Sequence, residues 1–300
     1  MKKKTYLFAL MAMVLTLGSC SDNENGIGGE TSKYITVSTS IGNMTRVATD
    51  EKGGQTFEEG DEISVYAWTG DATVAPETRE RVVNNAINKL TNGSWISNPQ
   101  MLWKNNRDKH YFIGVYPISA ISDLSAGEYT FDANKQTESD LLVAVNKDGL
   151  SYNVDEPQTV PLTFTHVMAK LAVNLTYKNQ WGGIPTVEKV VVGNAAKEAT
   201  INYLTKVVTP STTAKEDFSL PEITENTKYV SVIIPQEEVT QLTIVIGGKN
   251  FVYDNGTPFK LESGKITTVN LEVGRDEIKL GDVKITNWED GSTFSGEALN

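Results

Sequence analysis

The chain has 300 residues, with 27 Lys+Arg against 38 Asp+Glu and a single cysteine, Cys20. A formal charge of −11 argues against nucleic acid as a partner, because phosphate affinity comes mainly from lysine and arginine displacing counterions. One cysteine excludes an intramolecular disulfide and any multi-cysteine metal site, and 39% hydrophobic with 22% charged residues is the composition of a folded chain.

Lys2, Lys3 and Lys4 form a positive start, and residues 6–17 (YLFALMAMVLTL) an apolar run. That run is too short for a permanent span of about 20 residues. With the small residues Gly18 and Ser19 after it, residues 1–19 read as a secretory signal. Leu17-Gly18-Ser19-Cys20 also resembles the bacterial lipobox, in which the cysteine is acylated and becomes the new N-terminus. A thioether needs a thiol at that position, and several acyl chains anchor firmly at ~0.8 kcal/mol per buried methylene. Removing the three lysines makes the balance 24 − 38 = −14. Ser21-Asp22-Asn23-Glu24 resembles the acidic export signal of lipoproteins sent to the outer face of the outer membrane. Residues 20–32 otherwise read as a Gly- and Ser/Thr-rich linker.

From Lys33 onward the dominant period is two. Residues 34–41 (YITVSTSI) place Ile35, Val37, Thr39 and Ile41 on one face. Residues 63–68 alternate Ile63, Val65 and Ala67 against Ser64, Tyr66 and Trp68. Runs at 111–117, 141–145, 229–235, 242–248 and 266–273 continue the series, bounded by Gly, Pro, Asn and Asp. Asn92-Gly93 between extended segments predicts a hairpin. Residues 79–90 are a candidate short helix, although their asparagines suit a helix poorly. The sum is an all-β protein built of sandwiches. In the long run 161–179 the apolar parity changes from Leu162, Phe164 and Met168 to Leu171, Val173 and Leu175. A bulge or a passage between sheets is expected near His166 to Lys170. That divides the chain into an N-terminal domain, 33–168, and a C-terminal domain, 169–300.

Residues with catalytic chemistry form no recognised motif. His110 and His166 are the two histidines, and His166 lies on the apolar parity of its strand, as a core or interface histidine with bonded nitrogens. No G-x-S-x-G, H-E-x-x-H or P-loop is present, and no spacing suggests a zinc site. Acidic pairs such as Glu58-Glu59 and Asp155-Glu156 read as loop charge. The sequence therefore points to a non-enzymatic protein without cofactor or metal. The five tryptophans, Trp68, Trp95, Trp103, Trp181 and Trp288, read as sandwich core or as a glycan platform.

Ordered motifs carry a resemblance. They are Thr45-Arg46; FEEGDEI at 57–63; Met101-Leu102-Trp103 leading to HYFIGVYP at 110–117; DLLVA at 140–144; VPLTFTHVMAKL at 160–171; and ITNWEDG at 285–291. Together with the lipobox they resemble the fimbrillin-like (Mfa-like) lipoproteins that build type V pili. The resemblance implies two tandem transthyretin-like (Greek-key) β-sandwich domains and a surface lipoprotein of the outer membrane. It implies polymerisation with other fimbrillin-like subunits, homo- or hetero-polymeric, and adhesion to a host or bacterial surface ligand. It also implies cleavage after an arginine near the first strand, loss of that strand, and its replacement by a donor strand from a neighbour. On this sequence the candidate cut follows Arg46, and the strand lost is 34–41. The candidate donor lies in the tail 277–300, with apolar residues Ile278, Leu280, Val283, Ile285 and Trp288. Their parity breaks at Gly281-Asp282, as at a turn or bulge. The competing readings are an uncut loop arginine, a tail that completes its own domain, and a monomeric surface lipoprotein that binds a glycan or host ligand. A hydrolase on a sandwich scaffold would need two carboxylates facing each other across a cleft.

Overall fold

The computed structural model describes residues 33–42, 56–136, 138–153, 155–156 and 158–288. The β-branched and aromatic runs become strands, as their fit to a pleated, half-buried surface requires. In chain order these are β1 (Thr36–Ile41), β2 (Glu62–Thr69), β3 (Arg81–Thr91), β4 (Ser94–Asn98), β5 (His110–Tyr116), β6 (Gly127–Thr130), β7 (Leu142–Leu150) and β8 (Thr159–His166). They continue with β9 (Ala169–Tyr177), β10 (Val187–Ala196), β11 (Glu198–Asn202), β12 (Val207–Pro210), β13 (Lys215–Leu220) and β14 (Glu222–Thr224). The last are β15 (Lys228–Ile233), β16 (Gln236–Ile246), β17 (Lys249–Leu261), β18 (Lys265–Val273) and β19 (Ile278–Asn287).

Residues 79–90 are not a helix. A single 3-10 turn at Thr78–Glu80 leads straight into the eleven-residue strand β3. The Asn92-Gly93 hairpin forms: Thr91 pairs with Ser94, and Asn92 and Gly93 have φ of 51° and 73°. Two consecutive positive φ values are what a two-residue primed turn requires.

Seven strands form one sheet in the order β1-β8-β7-β5-β2-β3-β4. It is antiparallel except at β1, which lies parallel to β8. The remaining strands form a four-stranded sheet (β13-β10-β16-β17), a five-stranded sheet (β14-β15-β9-β18-β19) and a small sheet (β12-β11-β6). In the small sheet β6, from the first half of the chain, pairs with β11 from the second. The chain leaves the seven-stranded sheet at His166 and enters the five-stranded sheet at Ala169. The parity change read from residues 161–179 is this passage.

The central strands β2 and β5 of the seven-stranded sheet are buried on both faces, while β8 and β4 nearer its edges leave one face exposed. Along β2, Ile63, Val65 and Ala67 join one core, with Phe112, Leu162 and Phe164. Tyr66 and Trp68 join a second, larger core that continues through Met168, Leu171 and Val173 into the C-terminal sheets. The first core is enclosed because the sheet curls. β1 and β4 are its two edges, yet Tyr34 bridges to Leu102, just beyond β4. The curl needs a close approach at Gly114 of β5, where a Cβ would stand 2.6 Å from Phe164 Cζ.

Candidate assembly sites at the first and last strands

β1 is short and attached on one side. Its register runs from Thr36↔Thr159 to Ile41↔Phe164. Ile35 and Val37 are buried, while Thr39 and Ile41 are half-buried. The opposite face carries Thr36 and Ser40, whose hydroxyls meet those of Thr159 and Thr163 at 3.2 Å each. So the apolar alternation of residues 35–41 has the predicted sense.

The second side of β1 faces β4 across a seam. At one end the seam is closed by backbone bonds: the Ile35 N–H donates to Met101 O at 2.9 Å, and the Trp103 N–H to Lys33 O at 3.2 Å. Further along it opens into a groove of about 700 Å³ lined by Thr39, Ile41, Phe57, Ser94, Trp95 and Ile96. One side-chain bond spans this stretch, from Trp95 Nε1–H to Thr39 Oγ1 at 3.0 Å. Phe57 plugs the end of the core, with its ring edge-on to Trp95, Tyr116 and Phe164 at 5.3, 5.4 and 5.1 Å. The FEEGDEI motif supports that plug. Glu59 accepts from the Asn92 and Gly93 N–H groups at the hairpin tip, Gly60 takes φ of +96°, and Asp61 accepts from the Glu58 N–H. Gly42 and Thr56 flank the groove in sequence. Arg46 lies between them, outside the described residues, as does Cys20.

β19 is the outer strand of the five-stranded sheet and pairs antiparallel with β18 in its own chain. The pairing skips between Val269↔Val283 and Leu271↔Leu280, so β19 carries one extra residue at Gly281-Asp282. This is the bulge that the parity break predicted. The five candidate donor residues differ in burial. Ile278 and Leu280 are half-buried against the larger core, Val283 and Ile285 are each 37% exposed, and Trp288 is 5% exposed.

Trp288 sits where β8 passes into β9. The His166 ring stacks on its indole at 4.0 Å and 6°. Lys170 Nζ lies 4.3 Å from the centroid. His166 Nδ1 is 2.8 Å from Asp140 Oδ1. Burial pushes the Lys170 ammonium below its ordinary range, and the Asp140 charge partly offsets this. Three of the sequence motifs therefore meet here: DLLVA through Asp140, THVMAKL through His166 and Lys170, and ITNW through Trp288. Parity indicated that His166 faces inward. It could not indicate a partner 122 residues away.

The other sequence candidates are structural. His110 is wholly buried; its Nε2 accepts from the Lys104 N–H at 3.0 Å, so Nδ1 carries the proton and faces Asp108 O at 3.1 Å. Burial pushes its pKa down. Trp68, Trp103 and Trp288 are buried and Trp95 and Trp181 half-buried. Trp68, Trp95 and Trp181 donate their N–H to protein oxygens. Among the described residues no three His, Cys, Asp or Glu side chains are grouped so as to hold a metal.

Residues 45–288 match the model of a family described as fimbrillin-like. The chain belongs to the fimbrillin-like family. A Bacteroides uniformis protein carrying the name "Putative fimbrium subunit Fim1C" is 24% identical, over 97% of each chain. Among solved structures, a "putative cell adhesion protein" of Bacteroides uniformis superposes with a TM-score of 0.64 at 18% identity, covering 85% of this chain and 98% of its own. A fimbrial protein of Bacteroides vulgatus gives 0.51 at 12% identity, covering 84% and 99%. At these identities the structures share the fold of this fimbrillin-like chain, and the family assignment rests on the sequence model.

Proposed function

We propose that this chain is a fimbrial subunit, exported as a lipoprotein through Cys20, that assembles at the outer-membrane surface by donor-strand exchange. Its two halves, 33–168 and 169–300, act as tandem transthyretin-like sandwiches. Cleavage after Arg46 frees residues 20–46, and with them β1. The observation that carries this reading is the attachment of β1: an edge strand joined to one neighbour, beside a seam already half open. Removing it leaves β8 with unpaired backbone groups and the core around Val160, Leu162 and Phe164 uncovered. An extended segment in trans corrects both defects, and alternate side chains set its register. The tail 277–300 is the donor of suitable chemistry, with other fimbrillin-like subunits as partners and a host or bacterial surface ligand recognised at the far end of the assembly.

The glycan-platform alternative has less support, since the tryptophans that suggested it are buried or half-buried and mostly spend their N–H groups internally. The test is limited digestion of the chain from Ser21 with an arginine-specific protease, followed by mass spectrometry and light scattering. Cleavage after Arg46 with growth into SDS-resistant ladders is the expected result, and deleting residues 277–300 abolishes the ladders. Cleavage without growth would refute self-assembly. Resistance at Arg46 would remove the activation step.

A further inference from the structure

The terminal strand is unevenly attached to its sheet. At its start Ile278 and Leu280 pack on the larger core, and the Glu277 carboxylate just before it pairs with Lys178. Past the bulge, six of the seven residues from Gly281 to Asn287 are exposed, and Thr286 is half-buried. Those seven residues contribute a backbone ladder and partial side-chain burial: Val283 and Ile285 keep 37% of their surface exposed, and Asp282 accepts from Asn270 Nδ2 at 2.6 Å. An edge ladder open to water on one side frays readily by itself. The next residue, Trp288, is 5% exposed.

The place that receives Trp288 is firmly built. His166 presents its ring face at 4.0 Å and is fixed from behind by Asp140 at 2.8 Å. Lys170, two residues into β9, brings its ammonium to 4.3 Å from the indole centroid. Gly264 O accepts the backbone N–H of Trp288 at 3.0 Å. Gly264 also lies close behind His166, since a Cβ on it would stand 3.0 Å from His166 O. Indole offers a large apolar face and a π-system that attracts the Lys170 ammonium.

We propose that Trp288 is a latch that keeps β19 in its own subunit. With the indole seated, both ends of the exposed stretch are tied down. When the indole leaves the socket, residues 281–287 peel from β18 as far as the bulge, where Leu280 stops the opening. The socket therefore governs how readily the tail is released. This deepens the assembly reading, which needs a free tail, but the latch itself is a property of the single chain.

Hydrogen–deuterium exchange on the monomeric chain from Ser21 tests it. Trp288→Ala should lower protection of residues 281–287 by about 10- to 100-fold, leaving β9 and β15 unchanged. His166→Ala should produce the same local pattern, and Trp288→Phe should keep most of the protection. Lys284→Ser, which alters an exposed charged side chain of the same stretch, should have no comparable effect. Unchanged protection in Trp288→Ala would overturn the latch. So would an equal loss across β9 and β15, which would make Trp288 an ordinary core residue, or an equal effect from Lys284→Ser. Because no assembly is needed, a local opening without ladders in the digestion experiment would refute donation by the tail and leave the latch standing.

Discussion

Starting the chain at Val47 imitates the cleaved subunit and has a calculable cost. The truncation removes Ile35 and Val37, which are 3% and 6% exposed. Each buried aliphatic side chain is worth about 1.5–3 kcal/mol, which gives about 3–6 kcal/mol for the pair. The lost ladder to β8 adds little, because its partners turn to water. Against a total stability of about 5–15 kcal/mol this is a large fraction. With a urea dependence of about 3 kcal/mol/M, the unfolding midpoint should fall by about 1–2 M. The assay is urea unfolding of chains 21–300 and 47–300, followed by circular dichroism. An excess of a peptide of residues 33–42 should restore the midpoint of the truncated chain by binding its folded state. Equal midpoints for the two chains would refute the reasoning, since β1 would then cover nothing that matters.

Two further outcomes follow from the cores. Gly114→Ala should cost about 1–3 kcal/mol, because the new methyl meets a Phe164 ring that is fully buried and held in place by Phe57. A lowered melting temperature, recovered when Phe164→Leu is added, checks this, and an unchanged melting temperature contradicts it. His110 is folded as the neutral tautomer with its pKa depressed by burial, so below about 6.5 the unfolded chain binds a proton that the folded chain refuses. Its contribution to stability is complete above that pH and is lost as the pH falls through and below it. Urea midpoints should therefore drop between pH 7.5 and 5.5, and drop less in His110→Gln. A flat profile would show that His110 accepts the proton in place.

What the sequence disclosed was what local alternation can disclose. The strand runs named above, the Asn92-Gly93 turn, the change of sheet after His166 and the bulge at Gly281 follow from period-two parity and turn chemistry, whereas β6 and β10 to β14 were not among those runs. Beyond these omissions, its failures were of two kinds. The asparagines of residues 79–90 suit neither helix nor strand, and pairing decides the matter. Asn88 is buried, with its amide N–H donated to Ala86 O, and Asn85 adopts φ of +55° at an irregularity in the β2–β3 pairing. Direction and distant contact were also hidden. Alternation is the same in a parallel and an antiparallel strand, so the parallel pairs β1–β8 and β9–β18 were not legible. Nor was the stacking of His166 on Trp288, since both residues read equally well as generic core. The family resemblance supplied an expected role for β1 and the tail, and the structure shows how each is attached.

The parallel pairing of β1 also has a consequence for the order of events during synthesis and refolding. Thr36 finds its partner hydroxyl on Thr159, 123 residues later. Closing so long a loop carries the entropic penalty that slows folds of high contact order. A chain made from its N-terminus must finish β8 before β1 has a strand to lie against. The segment that emerges early thus joins its sheet late, and the edge that receives it stands open in every intermediate before that closure.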